Sequence, residues 1–171
     1  VSPEEIISCV DMGLKSINRP VHELYISPSG SLFDEAEVPT ETRRAILELA
    51  NNFPARRFSF ETRPETLTVS AINELHELLP SKEIAVGFGL ESANPWILRH
   101  CINKSGTFER LSATAKRLQD IRLYSNIALG PPFLLENEAI NDTLNSIMWS
   151  FAIGADLSLV FPMHVKTHTL L

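Results

Sequence analysis

The chain has few cysteines and no long apolar run, and both shortages narrow what it can be. Two cysteines, Cys9 and Cys101, stand far apart in 171 residues, without partners at metal-ligand spacing. We therefore expect both to be small buried hydrophobic residues rather than metal ligands or a disulfide. No run approaches the length of a membrane span and no secretory signal opens the chain, so we expect a cytoplasmic protein with no membrane partner.

Basic charge and glycine are also scarce. The chain has 15 Lys and Arg residues against 21 acidic ones, a net charge of −6, which gives no electrostatic footprint for nucleic acid within this stretch. Its glycines form no convincing phosphate-binding loop at a helix N-terminus, which argues against a phosphate-binding barrel enzyme of the aldolase type. The length allows one sizeable core, so a single domain is expected.

Short apolar strands alternate with helical segments along the whole chain. Each strand runs into a turn of small, polar or proline residues, and these turns lie at 27–31, 61–64, 89–92, 129–133 and 161–164. Such alternation predicts βα units and a parallel sheet. Ligands of these sheets bind at the carboxyl ends of the strands, where we expect the functional residues.

The helices are signalled by caps and by apolar periodicity. A capping box at residues 2–5 opens the first, and further helices are predicted over 40–53, 68–79, 107–121 and 138–151. In the last of these we expect one apolar stripe to face the core. Its members are Ile140, Leu144, Ile147, Met148 and Phe151.

Strand parity separates an apolar face from a face of small and polar residues, because alternate strand residues point in opposite directions. The small-residue face of strand 84–91 carries Ala85, Gly87, Gly89 and Glu91. Strand 124–130 likewise carries Asn126, Ala128 and Gly130 on one face. Two such strands side by side favour a concave surface that holds a ligand, and close packing of two layers is the alternative.

Five motifs occur in order along the chain. They are Ser-Gly-Ser-Leu-Phe-Asp (29–34), Glu-Thr-Arg-Pro-Glu (61–65), Gly-Leu-Glu-Ser-Ala-Asn (89–94), Ile-Asn-Lys-Ser-Gly-Thr-Phe (102–108) and Pro-Pro-Phe-Leu-Leu-Glu (131–136). With them the chain resembles the radical S-adenosylmethionine (SAM) superfamily, in the branch of the methylthiotransferases, the elongator catalytic subunit and coproporphyrinogen oxidase. Within that branch it most resembles the radical SAM subunit family associated with archaeosine synthase.

The resemblance implies an α/β fold, a partial (β/α) barrel in which parallel strands form a half-barrel with outer helices. It also implies truncation before the first strand and after about the sixth, since the chain lacks the Cys-x-x-x-Cys-x-x-Cys loop of the superfamily. Residues 1–171 are then a single radical SAM core domain fragment without the N-terminal cluster-binding strand and loop. Gly130 stands where related chains often have lysine, which leaves the substrate open.

The implied cofactors are SAM and a [4Fe-4S] cluster whose ligands lie outside this segment. Together they would generate a 5′-deoxyadenosyl radical that modifies a substrate, with RNA, in particular tRNA, favoured and bound by regions outside this segment. A partner subunit is also expected, and the fragment itself should be inactive. The alternative function is a non-catalytic half-barrel partner subunit, or a pseudoenzyme without a cluster.

The same resemblance implies eight cofactor-binding residues and no catalytic or metal-binding ones. Ser29, Gly30 and Ser31 match the loop that faces the SAM amino group, and Lys104 matches the cation for its carboxylate. Glu91 and Asn126 match the ribose-binding positions, Glu61 a carboxylate near the amine or the ribose, and Gly130 the turn beside the adenine. Three of the polar residues have a structural alternative: an ion pair of Glu61 with Arg57 or Arg63, a solvated loop lysine at 104, and a strand-end amide at 126.

Overall fold

The computed structural model describes residues 2–27, 30–104, 107–118 and 120–163. In these ranges five strands alternate with helices. The strands are β1 (Glu23–Ile26), β2 (Arg57–Glu61), β3 (Glu83–Glu91), β4 (Arg122–Leu129) and β5 (Leu157–Pro162), in the sheet order β1-β2-β3-β4-β5. The helices are α1 (Pro3–Ser16), α2 (Thr40–Asn52), α3 (Val69–Leu78), α4 (Pro95–His100), α5 (Thr107–Ala115) and α6 (Glu136–Ala152).

The predicted alternation of strands and helices is confirmed. β1 pairs with β2, β2 with β3 and β4 with β5, all in parallel. Sequence reasoning missed α4, a short helix that Asn94 caps by accepting hydrogen bonds from the amides of Trp96 and Ile97. It also made α5 too long, since this helix ends at Ala115.

The first of two compact units spans Val1–Gly87. The predicted capping box of α1 is present, because the Ser2 hydroxyl accepts from the Glu5 amide and the Glu5 carboxylate accepts from the Ser2 amide. In this unit α1 packs on α2 and α2 on α3. The fully buried rings of Phe58 and Phe60 stack in the core with centroids 5.8 Å apart.

The second unit, Phe88–Leu171, contains the helix for which the predicted core face is wrong. The apolar residues Ile140, Leu144, Met148 and Phe151 of α6 are 46–63% exposed. The face of α6 that packs on the sheet is instead small and polar, with Ala139, Asp142, Thr143, Ser146 and Ser150 buried. Its hydroxyls are satisfied by carbonyls: Thr143 donates to Ala128 of β4 and to Ala139, and Ser146 donates to Asp142. Hydrogen bonds therefore let small polar residues take the sheet side of the helix.

Only one of the two cysteines is buried as predicted. Cys101, which follows α4, is buried, whereas Cys9 lies on the exposed side of α1. Burial, with the nearby charge of Asp142, raises the pKa of the Cys101 thiol. Among the described residues, no helix has both the length and the apolar character that crossing a membrane requires.

Candidate functional site

Glu61, the last residue of β2, is held by two hydroxyl groups of the first unit. The Tyr25 hydroxyl donates to Glu61 Oε1 at 2.7 Å, and the Ser27 hydroxyl donates to Glu61 Oε2 at 2.8 Å. Burial, together with the hydrogen bond and negative charge of Glu61, raises the pKa of Tyr25, so the phenol stays a proton donor. The carboxylate is thus oriented at the carboxyl end of β2.

Gly87 makes room for this arrangement. It is the register partner of Glu61 in β3, and a Cβ at this position would lie 3.2 Å from Glu61 Cγ and 3.4 Å from the Tyr25 hydroxyl. Part of the space expected on the small-residue face is therefore taken up by the neighbouring side chains. The absence of a side chain at Gly87 therefore leaves room for the Glu61 carboxylate in this position.

The two arginines considered as partners of Glu61 contact other carboxylates. Arg57 forms ion pairs with Glu23 at 3.3 Å and Glu83 at 2.9 Å, its register neighbours on β1 and β3. Arg63 forms ion pairs with Asp34 and Glu37. Both arginines thus have carboxylate partners without Glu61.

The loop after β1 is tied to the end of β2. Ser29 lies outside the described residues. The amide of Ser31 donates to Glu37 Oε2 at 2.6 Å, and its buried hydroxyl shares hydrogen bonds with the hydroxyls of Thr62 and Thr66. A Cβ at Gly30 would collide with the same Glu37 carboxylate. The side chain of Ser31 is therefore part of a buried hydroxyl cluster.

Glu91 and Lys104 form a direct pair in the second unit. Lys104 Nζ donates to Gly89 O at 2.5 Å and lies 3.3 Å from Glu91 Oε1. The two side chains are 37% and 31% exposed, so Lys104 is not a fully solvated loop lysine. Glu91 has φ +62°, a left-handed conformation that is uncommon for a residue other than glycine.

Gly89 leaves room for this pair. A Cβ there would lie 2.5 Å from Glu91 Oε1 and 2.7 Å from Lys104 Nζ. The amide of Lys104 donates to Leu98 O of α4 at 2.8 Å. This hydrogen bond attaches the segment that carries Lys104 to α4. The sequence did not predict α4, although this helix positions the lysine.

Asn126 and Gly130 lie on β4 and just beyond it. Asn126 is half-buried within β4, three residues before the end of the strand, and its register partner is Leu159 of β5. Gly130 has φ +75° and an open space where a Cβ would stand, so its glycine is required by backbone conformation. Two residues further on from Pro131, Phe133 has φ +66° and is 70% exposed.

The structure brings some of the predicted residues together within each unit. Glu91 and Lys104 are in contact, and the loop that carries Gly30 and Ser31 reaches Glu61 because the Leu32 amide donates to the Glu61 carbonyl at 3.1 Å. Sequence reasoning missed the role of Tyr25 and Ser27. The alternation of side chains along β1 could have revealed this role, because Tyr25 and Ser27 share the strand face opposite Leu24 and Ile26.

The described residues do not offer a set of ligands for an iron–sulfur cluster. It contains no group of three or more His, Cys, Asp or Glu side chains that could hold a metal ion. Cys9 belongs to the first unit and Cys101 to the second. A [4Fe-4S] cluster is held by several thiolates, and these two residues do not supply them.

Comparisons with known proteins agree with the motifs. No protein-family model matches the chain. It is 35% identical over 125 residues to "Archaeosine synthase subunit beta" of Thermococcus kodakarensis, across 70% of the chain and 38% of that protein. It is 32% identical over 152 residues to the protein of the same name from Methanosarcina acetivorans, across 85% of the chain and 43% of that protein. The chain thus spans less than half the length of these relatives.

The fold is shared with a solved structure. Coproporphyrinogen III oxidase from Escherichia coli, described as a radical SAM enzyme, superimposes with a TM-score of 0.64 at 14% identity, across 96% of the chain and 38% of that protein. This similarity confirms the predicted α/β partial barrel of parallel strands with outer helices. The chain therefore shares the fold of this radical SAM enzyme. The predicted resemblance to archaeosine synthase subunits is confirmed by the two relatives of that name.

Proposed function

We propose that this chain is the SAM-binding part of a radical SAM enzyme core that modifies tRNA together with a partner subunit. The observation that carries the proposal is the half-buried pair of Glu91 and Lys104 beside Gly89, at the carboxyl end of β3. Opposite charges at a strand end suit a ligand that has hydroxyls and a carboxylate. The similarity to two archaeosine synthase beta subunits supports the substrate class and the partner.

In the second unit the proposed roles follow from donor and acceptor capacity. Lys104 has three protons, and among the described residues it donates to Gly89 and Glu91, so the third is proposed to bind the SAM carboxylate. Glu91 and the amide of Asn126 are proposed to accept hydrogen bonds from the ribose hydroxyls. Gly130, with its left-handed backbone, is proposed to present the turn after β4 to the adenine.

In the first unit Glu61 is proposed to accept from the SAM amine or from the ribose. Its orientation by Tyr25 and Ser27 reduces the entropy that binding would cost. Ser29, Gly30 and Ser31 are proposed to face the amino group through their backbone. The amide and hydroxyl of Ser31 already bond within the protein, so the carbonyls of this loop are the groups that suit an ammonium.

SAM bound next to a reduced [4Fe-4S] cluster would supply hydrogen-abstraction chemistry in such an enzyme. The residues of this chain bind and orient SAM and limit the access of water. Because the described residues offer no cluster ligands, we place those ligands outside this segment. The RNA substrate is likewise proposed to bind through regions outside it, and the enzyme to act in the cytoplasm.

SAM cleavage tests this function. The iron–sulfur cluster of the full-length protein is reconstituted and reduced with dithionite in the absence of oxygen. This protein is expected to convert SAM to 5′-deoxyadenosine, which is measured by chromatography of the nucleosides. The 171-residue piece is the matched control and is expected to yield none. A full-length protein that carries its cluster, binds SAM and still yields no 5′-deoxyadenosine in the presence of tRNA would contradict the enzymatic function.

A second candidate function is a non-catalytic half-barrel partner subunit or a pseudoenzyme. It is favoured by one observation, that the described residues contain no group of metal ligands. The full gene separates the two candidates. Three cysteines with the Cys-x-x-x-Cys-x-x-Cys spacing upstream of Val1 support the enzyme, and a full gene without them supports the partner subunit.

A further inference from the structure

A cavity of about 730 Å³ lies between α4 and α6 in the second unit. Its wall is formed by the segment after β3, the first turn of α4 and one flank of α6. The residues that matter for its chemistry are Trp96, Leu134, Glu138, Asn141, Asp142 and Asn145. The volume lies in the range of ligand-binding pockets, and none of these residues has a role in the proposed SAM site.

Asp142 gives this α4–α6 cavity its chemical character. The residue is only 6% exposed, and its Oδ1 accepts a hydrogen bond from the Ser92 hydroxyl at 2.8 Å. Its Oδ2 is buried with no hydrogen-bond donor among the described residues. A buried carboxylate oxygen without a donor is unfavourable, and Asp142 lines the cavity, so its carboxylate is suited to a ligand that donates hydrogen bonds.

The rest of the wall offers further acceptors and an aromatic surface. Glu138 uses one oxygen to accept from the Leu135 amide at 2.8 Å, and the exposed amides of Asn141 and Asn145 lie on the same flank of α6. Trp96 is 59% exposed. No lysine or arginine is among the described residues that line the cavity. Two carboxylates and an accessible indole match a cation that is planar and rich in donors.

We propose that the α4–α6 cavity binds an arginine side chain of a partner polypeptide. The guanidinium pairs with the carboxylates of Asp142 and Glu138 and lies against the indole of Trp96, since its fork geometry matches a carboxylate and its plane stacks on aromatic rings. A lysine would supply charge without the planar contact. The negative wall repels phosphates, which disfavours RNA as the occupant.

Neighbouring exposed residues favour a polypeptide over a small cation. Phe133 and Leu135 are 70% and 68% exposed, and they flank Leu134, which lines the cavity. Large apolar side chains exposed beside a polar cavity are typical of a protein-binding surface. The cavity also exceeds the size of one side chain, which leaves space for the residues that precede and follow the arginine.

The test uses the full-length protein labelled with fluorotryptophan and observed by fluorine NMR. The Trp96 resonance is assigned by its loss in Trp96→Phe. N-acetyl-arginine amide is expected to shift this resonance saturably, and N-acetyl-citrulline amide, which has the same shape without the charge, is expected to leave it unmoved. This comparison needs no variant at Asp142 and so holds even if such a variant folds poorly.

Two variants then locate the charge that matters. Asp142→Asn keeps the side-chain shape and is expected to weaken binding of the arginine probe by about tenfold or more, the effect of losing a charged partner. Glu136→Gln, which removes the same charge from an exposed position at the start of α6, is expected to bind normally. Equal shifts by the two probes, normal binding by Asp142→Asn, or a shift of Trp96 by single-stranded RNA would each overturn the proposal. SAM binding is measured separately, so either proposal can fail alone.

Discussion

At the scale of single residues, the contact between Glu91 and Lys104 does more for position than for stability. Both side chains are about one-third exposed, and an ion pair of this exposure stabilises a fold by at most about 1 kcal/mol. Gly89 and the left-handed backbone at Glu91 both serve the same arrangement. Uncommon backbone conformations with a small net gain in stability are typical of functional sites.

Alanine at either member of this pair is expected to weaken SAM binding. Glu91→Ala and Lys104→Ala in the full-length, cluster-reconstituted protein should each lose about 1–3 kcal/mol of binding free energy, the usual cost of removing a charged hydrogen-bond partner. Calorimetric titration with SAM measures the loss. Glu109→Ala and Lys116→Ala, at exposed positions on and just after α5, are matched controls of the same charge. Unchanged affinity in both site variants would remove the site assignment.

Asp142 makes stability depend on pH. Burial raises the pKa of Asp142, and the hydrogen bond from Ser92 opposes this effect only in part. A raised pKa in the folded state means that the stabilising contribution is complete below the unfolded pKa of about 3.9 and is lost as pH rises through the folded pKa. Glu138 on the same helix and Cys101 after α4 are the titratable neighbours, and the negative charge of Asp142 acts on the Cys101 thiol.

Asp142→Asn is therefore expected to remove a pH dependence. Between pH 4 and the folded pKa, the free energy of unfolding of the wild type should fall relative to the variant by about 1.4 kcal/mol per pH unit. Urea unfolding at a series of pH values measures this difference. A difference that stays constant or grows in favour of the wild type with rising pH would show that Asp142 is ionised and stabilised in the folded protein.

At the scale of elements, α3 and α6 show that an apolar stripe with helical spacing can face the core in one helix and solvent in another. Leu75 of α3 is fully buried, as its stripe predicts, whereas Leu144 of α6 is 53% exposed. The sheet side of α6 is occupied by residues whose hydroxyls bond to carbonyls of the helix and of β4. The apolar stripe of α6 is thereby left on an open flank, where it resembles an interaction surface.

The same substitution on the two helices is expected to have different costs. Leu75→Ala should lower the free energy of unfolding by about 2–5 kcal/mol because it leaves a cavity in the core. Leu144→Ala should change it by at most about 0.5 kcal/mol, as is usual for exposed positions. Chemical denaturation of both variants of the full-length protein tests this. A large loss at Leu144 would indicate that another segment covers the stripe.

At the scale of the whole molecule, β1 and β5 lie at the two edges of the sheet that the described residues form. β5 is poorly covered, with Leu157, Val160 and Phe161 about 40–50% exposed. An edge strand with apolar side chains presents unpaired backbone groups and pairs readily with another chain. The exposed flank of α6 adds a second apolar surface in the same unit.

The isolated 171-residue piece is therefore expected to self-associate. Sedimentation velocity over a range of concentrations should show species larger than a monomer. Val160→Lys on β5 should reduce the association, because a charge on an edge strand opposes pairing. A wild-type piece that is monomeric and unfolds cooperatively would contradict this expectation.

Local rules in the sequence were sufficient for the order of elements and for the position of Glu61 and Glu91 at the ends of their strands. The capping box of α1 and the span of β2 depend on a few neighbouring residues, and the structure agrees with both. The motifs around Glu91 and Lys104 also predicted residues that meet. Caps, strand parity and motif order act over short distances, so one chain is enough to determine them.

Tertiary structure alone decided what those rules leave open. The use of space beside Gly87 by Tyr25 and Glu61 depends on strand register, which joins residues distant in the chain. The use of space beside Gly89 by Lys104 depends on the attachment of its segment to α4. Which residues of α6 face the sheet depends on the hydrogen-bond acceptors that the neighbouring strand supplies. The same holds for the oxygen of Asp142 that has no donor among the described residues, because donors come from neighbouring segments. An amphipathic pattern shows where apolar residues recur along a helix. Their burial depends on which segments pack against them, and only the folded chain decides that.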